Sequence, residues 1–202
     1  SSAKAAHAVW KRQGPNPLGR RYGLEAINLY SSRLGGEHIK TGAALAAEMF
    51  QRLPNGIFAR EVGRRSFEEY YRASQWADVV TLGGKLVQRN QFENIAYRIR
   101  VLSGIAHAHG QLQQYRNAAT AHQAARNVED RPEFQYSQIV ALNSAQVKPA
   151  EIEGLANQYI QKNPTIENRF GVRIYVAQAY ERTMNANRAR DLYRDILYNS
   201  PL

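Results

Sequence analysis

With 202 residues, 44% of them hydrophobic and 22% charged, the chain has the make-up of a globular protein able to bury a substantial core. No apolar run approaches the ~18 residues of a bilayer crossing, no leader-like hydrophobic stretch follows Lys4, Lys11 and Arg12, and the lack of cysteine excludes a disulfide scaffold or thiolate metal site. The net charge of +10 is uneven: 16 basic and 8 acidic side chains in residues 1–100 (+8) against 11 and 9 in residues 101–202 (+2), 21 of the 27 basic residues being arginine. This asymmetry points to an anionic partner near the N-terminal half: an acidic protein segment, an anionic polysaccharide or, less favoured, nucleic acid. Nothing in the composition separates a periplasmic from a cytoplasmic location.

At the N-terminus, Ala5, Ala6 and Val9 followed by Pro17 look like the second half of a helical hairpin. Residues 1–20 therefore read as a partial repeat or N-terminal extension, with a loop-rich stretch over 13–20. From there on, apolar residues recur at spacings of three and four, and the β-branched alternation of a sheet is missing. The spacing predicts helices at 21–34, 37–53, 57–73, 75–89, 92–110, 112–128, 133–146, 149–162, 166–184 and 187–198. The breaks fall on punctuation such as Gly35-Gly36, Pro54-Asn55-Gly56, Arg131-Pro132 and Asn163-Pro164. The fold class is all-α.

Prolines that would end a helical hairpin stand at Pro54, Pro132, Pro164 and Pro201, in intervals that fit a unit of about 37 residues. A small-and-aromatic pattern runs through each unit. It is clearest near the C-terminus, where Val176, Ala177, Tyr180, Ala189, Tyr193, Ile196 and Pro201 alternate; Ala177 and Ala189 let two helices approach while the tyrosines fill the space beside them. Upstream units carry Phe67, Tyr70, Trp76, Val79 and Leu86; Leu102, Ile105, Ala106, His109, Tyr115, Ala118, His122 and Ala125; and a degenerate set of Val140, Asn143, Ile152, Ala156 and Tyr159. Residues 21–202 are thus expected to form a single array of about five hairpins. Neither end shows a polar capping helix, which suggests part of a longer protein.

These residues resemble the tetratricopeptide repeat family in degenerate form. The C-terminal unit matches seven consensus slots, the unit 99–132 six, and the unit 60–91 matches through Tyr70, Trp76 and Leu86. The resemblance implies a right-handed α-solenoid of helix-turn-helix repeats whose first helices line a groove for peptides or partner proteins. Carried over, the groove-facing slots are Arg64, Arg65, Glu68, Tyr71 and Arg72 in one unit, and Arg100, Ser103, Gly104 and His107 in the next. The family's Lys–Asn carboxylate clamp is not reproduced, since Arg64 and Glu68 stand in those slots.

Arg64, Arg65, Arg72, Arg98 and Arg100 are the sharpest basic cluster, and guanidinium forks suit carboxylates or phosphates. Arg64, Arg65, Tyr71, Arg72 and Arg100 are the expected contact residues; the competing expectation is a solvated face neutralised by Glu61, Glu68 and Glu69 at helical spacing. Glu68-Glu69 point about 100° apart on a helix and make no acid/base pair. His107 and His109 face apart, so no metal site is expected, and Gly83-Gly84-Lys85 lacks a phosphate loop's spacing. No catalytic residues and no cofactor are indicated. The expectation is a non-catalytic interaction scaffold for an acidic or extended partner. Two alternatives are a periplasmic repeat scaffold of a bacterial exopolysaccharide synthesis and export machine, and a nucleic-acid-binding helical repeat.

Overall fold

The computed structural model describes residues 2–33, 38–163 and 165–199. Among them lie eleven α-helices and no strand. They are α1 Ser2–Gln13, α2 Pro17–Asn28, α3 His38–Arg52, α4 Ile57–Arg72, α5 Trp76–Gln88, α6 Ile95–Gln111, α7 Tyr115–Val128, α8 Pro132–Ser144, α9 Pro149–Lys162, α10 Ile166–Arg182 and α11 Ala186–Asn199, with a π-helical turn over Leu29–Arg33 continuing α2. Gly35-Gly36, Pro164 and Pro201, read above as helix or repeat boundaries, lie outside the described residues. The chain divides into two compact units, Ser1–Ala108 and His109–Leu202.

The N-terminal unit begins earlier than the periodicity indicated. Ala3, Ala6 and Trp10 are buried on one face of a complete helix, α1, which ends at Gly14 in the left-handed region (φ 63°) with its N–H on the Trp10 carbonyl at 2.7 Å. Of the stretch 13–20, read as loop, Gln13 ends α1, residues 14–16 form the turn and Pro17–Arg20 start α2. Asn16 caps the helix by accepting from the Gly19 N–H at 2.8 Å, and Pro17 follows where a missing N–H costs nothing. Gly19 is required there, because a Cβ would stand 2.0 Å from the Gly14 carbonyl oxygen. Trp10, Ile27, Leu45, Met49, Phe50, Val62, Val79, Leu86 and Val101 are fully buried in this unit. Each such side chain contributes about 1.5–3 kcal/mol of burial.

α1 packs on α2, α3 on α4 and α4 on α5. Ser66, fully buried, donates from Oγ to the Ala43 carbonyl at 2.8 Å, so its small side chain lets α3 and α4 meet without stranding a hydroxyl.

In the C-terminal unit α7 packs on α8, α8 on α9, α9 on α10 and α10 on α11. Ile139, Leu142, Ile152, Ala156, Val172, Val176, Ala177 and Leu192 form its core. Ala177 and Ala189 are buried as the close-packing pattern requires. Tyr180 and Tyr193 are half-buried and donate outward, to Glu153 at 2.5 Å and Glu181 at 2.9 Å. One register differs: α8 buries Ile139 and Leu142 rather than Val140 and Asn143. Asn143 instead donates to Gln178 at 3.0 Å and receives Arg182, an energetically better use of an amide than a core slot.

One turn recurs. Ser74, Gln113, Gln146 and Met184 all adopt φ between 53° and 58°, at intervals of 39, 33 and 38 residues. In each case the next N–H reaches back to the fifth residue before it in the helix's last turns: Gln75 to Tyr70, Gln114 to His109, Val147 to Leu142 and Asn185 to Tyr180. This is the Schellman closure of a helix end. It links α4 to α5, α6 to α7, α8 to α9 and α10 to α11; Asn90 (φ 49°), with the Gln91 N–H on the Leu86 carbonyl at 3.0 Å, closes α5 in the same way before α6.

Candidate docking site

α6 meets α4 and α5 at glycines. A Cβ at Gly104 would meet the Phe67 ring at 2.8 Å, and one at Gly83 on α5 would meet Ile105 at 2.6 Å. α6 starts where Asn94 accepts from the Tyr97 N–H at 2.8 Å through its side-chain carbonyl. Between α4 and α6 opens a cleft of ≈ 500 Å³ lined by Phe67, Glu68, Glu69, Tyr71, Arg72, Arg100, Ser103 and Gly104.

Of the five expected contact residues, the cleft gathers Tyr71, Arg72 and Arg100. Arg64 and Arg65 instead border a smaller hollow of ≈ 350 Å³ with Ile27, Asn28, Ser31, Ser32 and Glu69. Every arginine of the five has a carboxylate partner. Arg64 spans Glu61 at 2.9 Å, Glu68 at 3.2 Å and Glu93 at 3.1 Å; Arg65 holds Glu61 at 2.5 Å and reaches Asn28. Arg72 pairs with Glu69, and Arg100 approaches Glu68 at 3.9 Å. Burial pushes the Glu61 carboxyl up, but hydrogen bonds from Arg65 and Arg64 outweigh it and hold the group below the usual carboxylate range.

The pairs are not alike. The Arg64 side chain is 29% exposed and held on three sides, a strut between α4 and the segment before α6. The Arg100 side chain is 69% exposed and loosely held, and that of Arg72 is 57% exposed. Glu68 and Glu69 both border the cleft, each engaged by an arginine rather than by the other.

Sequence reasoning placed Trp76 in a core slot. It is half-buried, and its ring meets Tyr71 (centroids 5.5 Å apart, 81° between planes) and His107 (5.2 Å, 71°), while Tyr71 and His107 are 5.6 Å apart. His109 is not part of this group; its ring nitrogen faces the Gln114 side chain at 2.7 Å. Tyr97 was also missed. It is buried, its hydroxyl has no hydrogen-bond partner among the described residues, and burial, reinforced by the charge of Glu68, pushes its phenol well above the usual value. The spacing gave no signal for it, because a tyrosine in a helical core slot looks like any other.

Among the described residues no group of three or more His, Asp or Glu side chains could hold a metal ion, and no helix is long and apolar enough to cross a membrane. No protein-family model matches the chain, no curated protein is matched by its sequence, and no solved structure is matched by its fold.

Proposed function

We propose that the chain is a non-catalytic interaction scaffold built of tetratricopeptide-like hairpins, and that the α4–α6 cleft docks an acidic, extended protein segment. Stacked as the resemblance implies, the hairpins would wind as a right-handed superhelix with α4 and α6 as first helices. The observation that carries the docking role is the placement of Arg72 and Arg100, both largely in water, on a cleft floored by Phe67 and Gly104. The +8 charge of residues 1–100 would steer an acidic partner toward this unit.

The ion pairs set how docking works. An exposed pair such as Arg100–Glu68 is worth about 0–1 kcal/mol, so a ligand carboxylate takes over Arg100 at little cost, leaving Glu68 with Arg64. A paired approach to the guanidinium fork more than offsets that loss. Arg64 and Arg65 then act as positioning residues that fix α4 against Glu93 and Asn28, rather than as direct contacts.

The test is fluorescence anisotropy with an extended Glu-rich peptide and its Gln-for-Glu counterpart. The Glu peptide is expected to bind, to weaken about tenfold in Arg72→Glu/Arg100→Glu, and to weaken as salt shortens the screening length from about 10 Å toward 3 Å. Equal binding of the two peptides, or an indifferent double variant, would defeat the reading.

A further inference from the structure

Tyr71, Trp76 and His107 form a near-equilateral triangle of rings, with centroids 5.2, 5.5 and 5.6 Å apart. Core aromatics of this protein, such as Trp10 and Phe50, are fully buried. This cluster is not: Tyr71 is 37% exposed, His107 is exposed and Trp76 half-exposed. Three aromatic groups thus stay partly in water at the end of α4, where a fourth ring could bury area and add an edge-to-face contact.

The cluster is continuous with the cleft. Tyr71 belongs to both, and His107 stands one helical turn beyond Ser103 and Gly104 on the same face of α6. Arg100 begins that face, so along α6 the order is cation, small floor, aromatic group. Beneath the cation end, the buried Tyr97 hydroxyl, without a partner among the described residues, feels the charges of Glu68, Arg64, Arg100 and Glu93.

Resting on the docking reading above, we infer that the cleft selects an extended acidic peptide carrying an aromatic side chain beside a carboxylate. The ring stacks into the Tyr71–Trp76–His107 triangle while the carboxylate takes Arg100. The cleft lining itself is balanced, with Arg72 and Arg100 against Glu68 and Glu69, so the +8 charge of residues 1–100 is what favours an acidic peptide, whose carboxylate takes over Arg100 while its planar apolar group covers the rings.

The experiment compares two synthetic peptides of equal charge, Ser-Gly-Glu-Phe-Glu-Gly-Ser and the same chain with Ser in place of Phe. The Phe peptide is expected to bind about tenfold tighter and to change the tryptophan emission. That change should vanish in Trp76→Phe, since Trp10 is fully buried on α1. His107→Ser, at an exposed ring outside the cleft lining, should level the two affinities without altering that for the Ser peptide, and Arg100→Glu should weaken both. Equal wild-type affinities overturn the inference but leave acidic docking standing; no binding of either peptide at about 1 mM removes both. Tighter binding of an oligouronate or a single-stranded oligonucleotide of equal charge also overturns it.

Discussion

Gly104 on α6 faces Phe67 on α4 so closely that a Cβ on the glycine would stand 2.8 Å from the phenyl Cζ. That contact fixes the distance between the two helices that wall the cleft. Replacing Gly104 by Ala gains about 1 kcal/mol of helix propensity but forces a buried ring to move, so a net loss of about 1 kcal/mol is expected. Gly84 on α5, with nothing within 4 Å of its Cβ position, is the control: Gly84→Ala should gain about 0.5–1 kcal/mol. Urea unfolding of both variants checks the pair. A stabilising Gly104→Ala would mean that the close approach is dispensable.

The recurring turn makes a second prediction. Met184 holds φ 58° with its side chain 92% exposed, so it contributes strain and almost no packing. Met184→Gly should raise stability by about 0.5–1 kcal/mol, because glycine adopts the left-handed region freely. Met184→Ala keeps the Cβ and should gain nothing. Thermal midpoints of the two variants separate these outcomes.

His122 supplies a pH dependence. Burial lowers its pKa below the ordinary value, and its Nδ1 is buried without a partner among the described residues. The unfolded chain therefore takes up the proton first as pH falls through about 6.5, and stability present above that value is lost on acidification. In His122→Leu this loss should shrink when unfolding is followed from about pH 7.5 to pH 5.5. His7, lowered for the same first reason and further by Lys11, leaves a residual slope of the same sign. An unchanged slope in His122→Leu would show that the imidazole is solvated.

A carboxylate gives a lower window. Burial pushes the Glu153 group up, but hydrogen bonds from Tyr180 at 2.5 Å and Arg188 at 2.6 Å prevail and hold it below the usual range. The folded state then favours the ionised form, so its contribution is present above about pH 4.3 and fades as pH falls toward the folded pKa. Glu153→Gln should cost about 1 kcal/mol at neutral pH and flatten the acid limb of the stability curve. Circular dichroism melts at several pH values would reveal whether it does.

Much of the helix map was legible because spacings of three and four leave little else for a chain of this composition to form. The misplaced pieces have local causes. Asn16-Pro17 looks like loop chemistry, yet it is a cap followed by a proline at a position where proline is welcome. In α8, adjacent Ile139 and Val140 both fit an apolar slot, and only the neighbouring helices pick Ile139. Of the nine positions on α4 and α6 expected to face a groove, six line one cleft. The division of the arginines did not follow, since Arg64 and Arg72 are two turns apart on one helix and look equivalent in sequence.

By itself the sequence determined the helical class, the length of the repeating unit and the uneven charge, because these depend on spacing and composition within a few turns. The tertiary structure alone decided which cations are struts and which face water, and that Tyr71, Trp76 and His107 meet at one end of the cleft. Those outcomes turn on contacts from α4 and α5 to α6 and the segment before it, far apart along the chain, and Gly104 lets α6 come up against Phe67.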